Sequence, residues 1–225
     1  MVSIQDLVFS KERLIENITF MNDYILKNEF NWTFVIKALN NYPDLFIEKI
    51  SDLPINSIAS DNENHLRLIK HIRPTIETWF LNYSGKLQTS EFIDVNLTHS
   101  SELINEKTCL MLSIDPDRDG LSFNDELKVN RYGCYLDCSK PPDINFYKKW
   151  SKLKINPTVI QSLGTSVSFD NIELLKSCGV NHFRLGEILL TGKDLINGKN
   201  IKGLRQDVFT SKKKITYNII SNLNF

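Results

Sequence analysis

The chain has 225 residues, 41% hydrophobic and 24% charged, which is enough apolar material for one sizeable domain with a full core and too much for a disordered chain. Basic and acidic side chains balance at 27 each, so no net field selects nucleic acid or a membrane surface, and a small molecule or another protein is the expected partner. No apolar run reaches the length of a membrane span, and residues 1–30 mix charges throughout, unlike a signal peptide. The sequence therefore reads as cytoplasmic, with Cys109, Cys134, Cys138 and Cys178 reduced and the Asn-x-Ser/Thr sites at Asn17, Asn31, Asn82 and Asn96 without weight as glycosylation signals.

In chain order, Ser10 can cap a helix over residues 11–28, with Leu14, Ile18, Met21 and Ile25 at helical spacing. A first strand over 32–39 runs into the polar turn Asn40-Asn41-Tyr42-Pro43-Asp44, and a short helix over 44–51 follows. Small residues at 57–60 give a second strand, and residues 63–73 a helix stopped by Pro74. Residues 75–81, 92–97, 109–114 and 132–136 read as the third to sixth strands. A helix over 142–153 with proline near its start leads to a seventh strand at 158–163. A helix over 170–178 closes at Gly179, and 181–185 is the eighth strand.

Eight short, mostly apolar strands separated by helix-sized segments imply a parallel sheet, and the count of eight implies closure, so an α/β fold of the (β/α)8 TIM barrel kind is expected over about residues 30–192. Residues 193–225 then form a tail with one strand-like stretch at 215–220. The competing architecture is an open doubly wound sheet, which no Gly-x-Gly-x-x-Gly turn supports.

Lys37 is the residue that needs explaining. At the carboxyl end of an inner strand its stem would lie in an apolar wall and its amine would open into a cavity, where desolvation lowers the pKa and makes a Schiff-base nucleophile. The alternative is a lysine that snorkels to the surface. Two further places bear on the choice, since barrels gather function at the carboxyl ends of their strands and bind phosphate after the seventh and eighth. After the seventh come Gly164, Thr165, Ser166, Val167 and Ser168, whose amides and hydroxyls could wrap an anion. After the eighth come Gly186 and Glu187, where a close backbone approach and a helix start favour negative charge. Each alone is also an ordinary loop. Together, opposite a lysine on strand one, they describe a pocket for a phosphorylated aldehyde.

Phe34-Val35-Ile36-Lys37-Ala38, Gly133-Cys134-Tyr135-Leu136-Asp137-Cys138, Gln161-Ser162-Leu163-Gly164-Thr165-Ser166 and His182-Phe183-Arg184-Leu185-Gly186-Glu187 resemble, in this order, the pyridoxal-phosphate barrel proteins. These include alanine racemase, the ornithine-racemase-like amino acid racemases and the small pyridoxal-phosphate homeostasis proteins. The continuation Gly192-Lys193-Asp194 and Gln206-Asp207-Val208-Phe209 looks most like the ornithine-racemase-like branch. The resemblance implies a pyridoxal 5'-phosphate cofactor and an amino acid racemase or epimerase, an isomerase, acting on a small-molecule amino acid. Lys37 would carry the cofactor as a Schiff base and move the substrate's α-proton on one face. Ser166 and the backbone of Gly186 and Glu187 would hold the phosphate, with Gly164 and Thr165 beside them and Tyr42 as a loose counterpart of the family's phosphate-binding tyrosine. Arg184 would face the pyridine nitrogen and, as a permanent donor, keep it unprotonated, which favours proton transfer over reactions needing a long-lived carbanion.

Alanine racemases carry a second, β-rich domain that supplies a tyrosine base for the other face and much of a dimer interface, and most of that domain has no counterpart here. The second base must then come from the barrel. Cys138 is the first candidate, a thiolate near a cationic cofactor, with a small apolar cysteine as the plain alternative; Tyr135 and His99 are weaker ones. Homodimerisation is left open, and so is a second reading, a protein that binds or buffers the cofactor without turnover. A third feature competes: Asp115, Asp117, Asp119, Gly120 and Glu126 satisfy the EF-hand calcium-loop spacing. A strand and not a helix precedes them, however, no second hand exists, and Ser122 replaces the usual apolar residue, so a solvated acidic loop without metal is expected, and a calcium-binding protein of unrelated fold is the remote alternative. In a barrel this loop follows the fifth strand, where Arg118 could meet a substrate carboxylate.

Overall fold

In the computed structural model, which describes residues 7–39, 53–82, 90–112, 129–134, 144–153, 155–164, 172–195 and 197–211, Ser10 caps the first helix as its position predicts. Its hydroxyl accepts the Arg13 N–H at 3.3 Å, and helix α1 runs Lys11–Lys27 with Leu14, Ile18, Met21 and Ile25 buried along one face. Each such side chain contributes about 1.5–3 kcal/mol on burial, against about 1 kcal/mol for a cap, so the apolar stripe decides where α1 sits and the cap decides where it begins.

The barrel closes from eight parallel strands in sequence order: β2 (Asn31–Val35), β3 (Ser57–Ser60), β4 (Glu77–Leu81), β5 (Val95–Thr98), β6 (Thr108–Met111), β7 (Arg131–Cys134), β8 (Ile160–Leu163) and β9 (His182–Leu185), with β9 returning to pair β2. Every expected barrel strand is present. Helices α2 (Glu63–Ile72), α3 (Ile144–Lys152), α4 (Ile172–Ser177) and α5 (Glu187–Thr191) follow β3, β7, β8 and β9.

The register assigns the two faces of the wall. Val35, Ala59, Trp79 and Val95 pair in succession, as do Leu97 with Cys109 and Met111 with Gly133, Ser162 and His182. This face lines the interior, where Ala59, Trp79, Leu81, Val95, Leu97, Cys109 and Met111 form one buried cluster. The alternate residues, among them Phe34, Ile58, Leu110, Leu163, Phe183 and Leu185, pack outward into a larger cluster with the helices. Being apolar on both faces is what buries a parallel strand, and it is why these strands read as continuous apolar runs.

Several boundaries differ from expectation. Strand one ends at Val35, and Lys37 opens a 3-10 turn, Lys37–Leu39. The fourth barrel strand begins at Val95 and not at residue 92, because Phe92 and Ile93 pack with Leu66 and Phe80 in a satellite cluster while the Asp94 carboxylate accepts the Thr78 N–H at 2.9 Å and pairs with Lys70 at 2.7 Å. An element absent from the sequence reading is a two-stranded antiparallel ribbon outside the barrel, β1 (Leu7–Phe9) with β10 (Phe209–Ser211). Three residues are too few for a period to register, so only the pairing itself reveals them. The expected helix at 44–51 and the strand-like stretch at 215–220 lie outside the described residues. Among the described residues no helix is long and apolar enough to cross a membrane.

Candidate functional site

Lys37 lies two residues beyond the end of β2, at the carboxyl-terminal mouth of the barrel. Its side chain is 42% exposed and its amine stands 3.9 Å from the Asp61 carboxylate, which follows β3. This corrects the expectation of a stem sunk in an apolar wall: the ladder has already turned away at Ile36, whose N–H pairs with Ala59 O at 2.9 Å, so Lys37 opens into the mouth and not into the core.

Across the β2–β9 seam, Arg184 pairs in register with Thr33. Arg184 is only 2% exposed. Its Nη1 donates to Ser162 O at 3.0 Å and to Ser162 Oγ at 2.8 Å, and its Nη2 to Cys134 O at 2.9 Å, so the guanidinium spans the interior from β9 to β7. Gly133 makes the room. A Cβ there would stand 3.0 Å from Arg184 Nη1 and 2.8 Å from Met111 Sδ. One turn further along, Gly186 lies against Val35 and opens α5 with no side-chain cap, which brings the start of that helix to the side of the mouth where Lys37 leaves β2. Glu187 occupies the first position of α5, and burial pushes its carboxyl above the usual carboxylate range.

Beneath Arg184 lies a set of polar residues that sequence reasoning did not single out. His182 is 3% exposed and stacks on Trp79 at 4.9 Å between ring centres. Its Nδ1 is 2.8 Å from Ser162 Oγ and its Nε2 is 3.1 Å from Thr33 Oγ1, which in turn is 2.6 Å from Ser57 Oγ. Burial, and then the nearby Arg184 and Arg131, depress the imidazole to about 3, so it is neutral at any ordinary pH. The available signal was polar residues at i and i+2 on otherwise apolar strands, as in His182 and Arg184; on an inward face they must find partners in one another. Cys109, on the same face, is pushed up to about 11 by burial and is an inert thiol.

Of the other expected site residues, Gly164 follows β8, buried, with its N–H 3.3 Å from Cys134 O. His99 stands just past β5, half-buried at the mouth. Tyr42, Arg118, Tyr135, Cys138, Thr165, Ser166 and the whole acidic loop from Asp115 to Glu126 lie outside the described residues. Among the described residues no cluster of histidine, cysteine, aspartate or glutamate could hold a metal ion.

No protein-family model matches the sequence, and no curated protein does. Solved structures match closely in shape. Alanine racemase from Bartonella henselae, crystallised with covalently bound pyridoxal phosphate, superposes with a TM-score of 0.64 at 14% identity over 88% of this chain and 66% of its own. Alanine racemase from Oenococcus oeni gives 0.63 at 11% identity over 90% and 68%. The barrel is of the alanine racemase type. Paramecium bursaria Chlorella virus arginine decarboxylase shares it too, with a TM-score of 0.56 at 10% identity over 82% of this chain and 65% of its own. The chain thus spans about two thirds of the length of these alanine-racemase-type proteins. At such identities the likeness is one of fold, and chemistry has to be argued from the residues at the mouth.

Proposed function

We propose that this chain binds pyridoxal 5'-phosphate at the barrel mouth through Lys37 and acts as an amino acid racemase. The observation that carries the reading is the joint position of Lys37, just past the end of β2, and Arg184 on the adjoining β9 of a barrel of the alanine racemase type, with Lys37 reaching out of the mouth and Arg184 held across the interior below it. The residues fit the group: Gly133 leaves space that a Cβ would take from the guanidinium, and Gly186 brings the start of α5 beside the end of β2.

Bound there, the cofactor would supply an aldehyde for covalent attachment and an electron-withdrawing ring that acidifies a substrate's α-hydrogen. Lys37 would anchor it and exchange a proton at Nζ. Arg184 has only donors, so a ring nitrogen facing it must accept, which limits how far charge is drawn from the substrate carbon and suits a brief proton transfer. The Gly186 and Glu187 amides and the Ser166 hydroxyl would take the phosphate, Arg118 a substrate carboxylate, and Cys138 the proton on the opposite face.

The test is the visible spectrum of the purified protein with pyridoxal phosphate, beside Lys37→Ala, followed by α-hydrogen exchange of enantiopure amino acids in heavy water. A borohydride-reducible band that maps to Lys37 and is absent from the variant, together with exchange and loss of optical activity, is expected. A band without exchange would leave a cofactor carrier, and no band would end the reading.

A further inference from the structure

The polar chain beneath Arg184 has a direction, and that direction follows from counting protons. Arg184 can only donate, so at Ser162 Oγ it fills an acceptor site and leaves the serine proton to be placed elsewhere. Ser162 is fully buried, and among the described residues its one remaining partner is His182 Nδ1 at 2.8 Å. The serine therefore donates to Nδ1. A neutral imidazole with Nδ1 as acceptor carries its hydrogen on Nε2, which donates to Thr33 Oγ1 at 3.1 Å, and Thr33 then passes its own proton to Ser57 Oγ at 2.6 Å. The reverse orientation would strand the Ser162 hydroxyl proton in a dry core, so one polarity is strongly preferred. The order is Arg184, Ser162, His182, Thr33, Ser57, each donating to the next.

We infer that Ser162, His182 and Thr33 are positioning residues that hold the Arg184 guanidinium in the orientation its role toward the cofactor requires; this rests on the functional reading above. The guanidinium is gripped by Ser162 at both backbone oxygen and hydroxyl, and the hydroxyl's own proton has an acceptor only while His182 Nδ1 takes it. Thr33 keeps His182 in that tautomer, and stacking on Trp79 keeps the ring in plane. Reversing the Ser162–His182 link would leave the Ser162 proton without an acceptor beside the guanidinium and loosen that grip. Buried networks of this kind are stiff because each member is satisfied in only one arrangement.

The experiment compares wild type, Thr33→Val, which removes the hydroxyl at nearly constant volume, and Thr33→Ser, which restores it. Imidazole 15N spectra of the protein without cofactor are expected to show His182 as the neutral Nε2–H tautomer from pH 8 to 5 in wild type and Thr33→Ser. Thr33→Val is expected to lose this tautomer and to shift the Arg184 guanidinium signals. Pyridoxal phosphate should bind Thr33→Val about tenfold more weakly, the size of a hydrogen bond to a charged donor, with a displaced absorption maximum, and Thr33→Ser within about twofold of wild type. An Nδ1–H or cationic His182 in wild type overturns the inference, as does a Thr33→Val protein with wild-type affinity and spectrum. If wild type itself takes up no cofactor, the functional reading fails separately. The relay is then decided by the Arg184 signals, which must move in Thr33→Val and return in Thr33→Ser. Should Thr33→Val not fold, Thr33→Ala, which also removes the acceptor of the Nε2–H, replaces it under the same outcomes.

Discussion

Gly186 passes so near Val35 that a Cβ added to it would stand 2.5 Å from the Val35 carbonyl oxygen and 3.1 Å from the Val35 Cβ. The contact joins the last barrel strand to the first just below Lys37, so the glycine sets how tightly the barrel closes at its mouth. Gly186→Ala meets no flexible side-chain end that could move aside, only the Val35 backbone and its rigidly attached Cβ. It is expected to cost about 1–3 kcal/mol of stability, as overpacking does, and to weaken pyridoxal phosphate binding as well. Urea midpoints and a cofactor titration of the same samples check both; an unchanged midpoint would mean that the strands separate there at no cost.

Lys37 behaves differently, because what it contributes lies outside the core. With a side chain 42% exposed and a carboxylate 3.9 Å from its amine, Lys37→Ala should shift stability by less than about 0.5 kcal/mol while abolishing borohydride fixation of the cofactor. Equal melting curves with unequal spectra would separate chemistry from folding in one pair of proteins. A large loss of stability would instead make Lys37 a structural residue.

Asn17 ties three parts of the chain together. Fully buried on α1, it donates to Leu189 O at 2.8 Å and to Arg205 O at 2.9 Å and accepts from the Arg205 N–H at 2.6 Å, thereby fastening α5 and the segment after the barrel to the first helix. Asn17→Ala would leave backbone groups of two segments unpaired, and a loss of about 2–4 kcal/mol is expected. Hydrogen exchange at the Arg205 amide should accelerate more than exchange within β2. Uniform acceleration everywhere would show that the asparagine supports the fold globally without fastening this segment in particular.

The barrel was legible because its determinants are local and repeated. Each strand is a short apolar run closed by polar or turn residues, such as residues 57–60 before Asp61 and Asn62, and eight of them leave closure as the economical arrangement. Lys37 stood out as a charge where an apolar run should be, whereas Arg184 entered through the resemblance of its motif. What could not be read was how polar residues of different strands meet. Nothing along the chain says that Thr33, Ser162 and His182, 20 or more positions apart, share hydrogen bonds, since that depends on register and closure. The stem of Lys37 was expected in an apolar wall, with surface snorkelling as the alternative, because its run of apolar neighbours continues to Leu39 in sequence although the ladder stops at Val35. The ribbon of β1 and β10 was missed because its partners lie about two hundred residues apart.

The neutral imidazole of His182 has a consequence for stability against pH. Its pKa falls from 6.5 when free to about 3 in the fold, for burial first and then for Arg184 and Arg131. The unfolded chain therefore binds a proton between those values that the native chain refuses, and linkage makes stability rise with pH across the window and fall as acid is added below about 6.5. The slope from one proton is about 1.4 kcal/mol per pH unit. Asp94 acts in the same direction: burial raises its pKa, but hydrogen bonds and charge from Lys70 and Thr78 outweigh that and hold it below the usual carboxylate range, so its contribution is lost lower, as pH falls from about 4. The two are separable by variant. His182→Gln should be less stable than wild type at pH 7, yet the gap should close by about 1.4 kcal/mol for each unit between pH 6 and 4, whereas Asp94→Asn should run parallel to wild type over most of that interval. Urea unfolding at half-unit steps measures it. Parallel curves for His182→Gln would mean that the histidine is protonated in the native barrel, and with it the tautomer argued for the chain beneath Arg184 would fall.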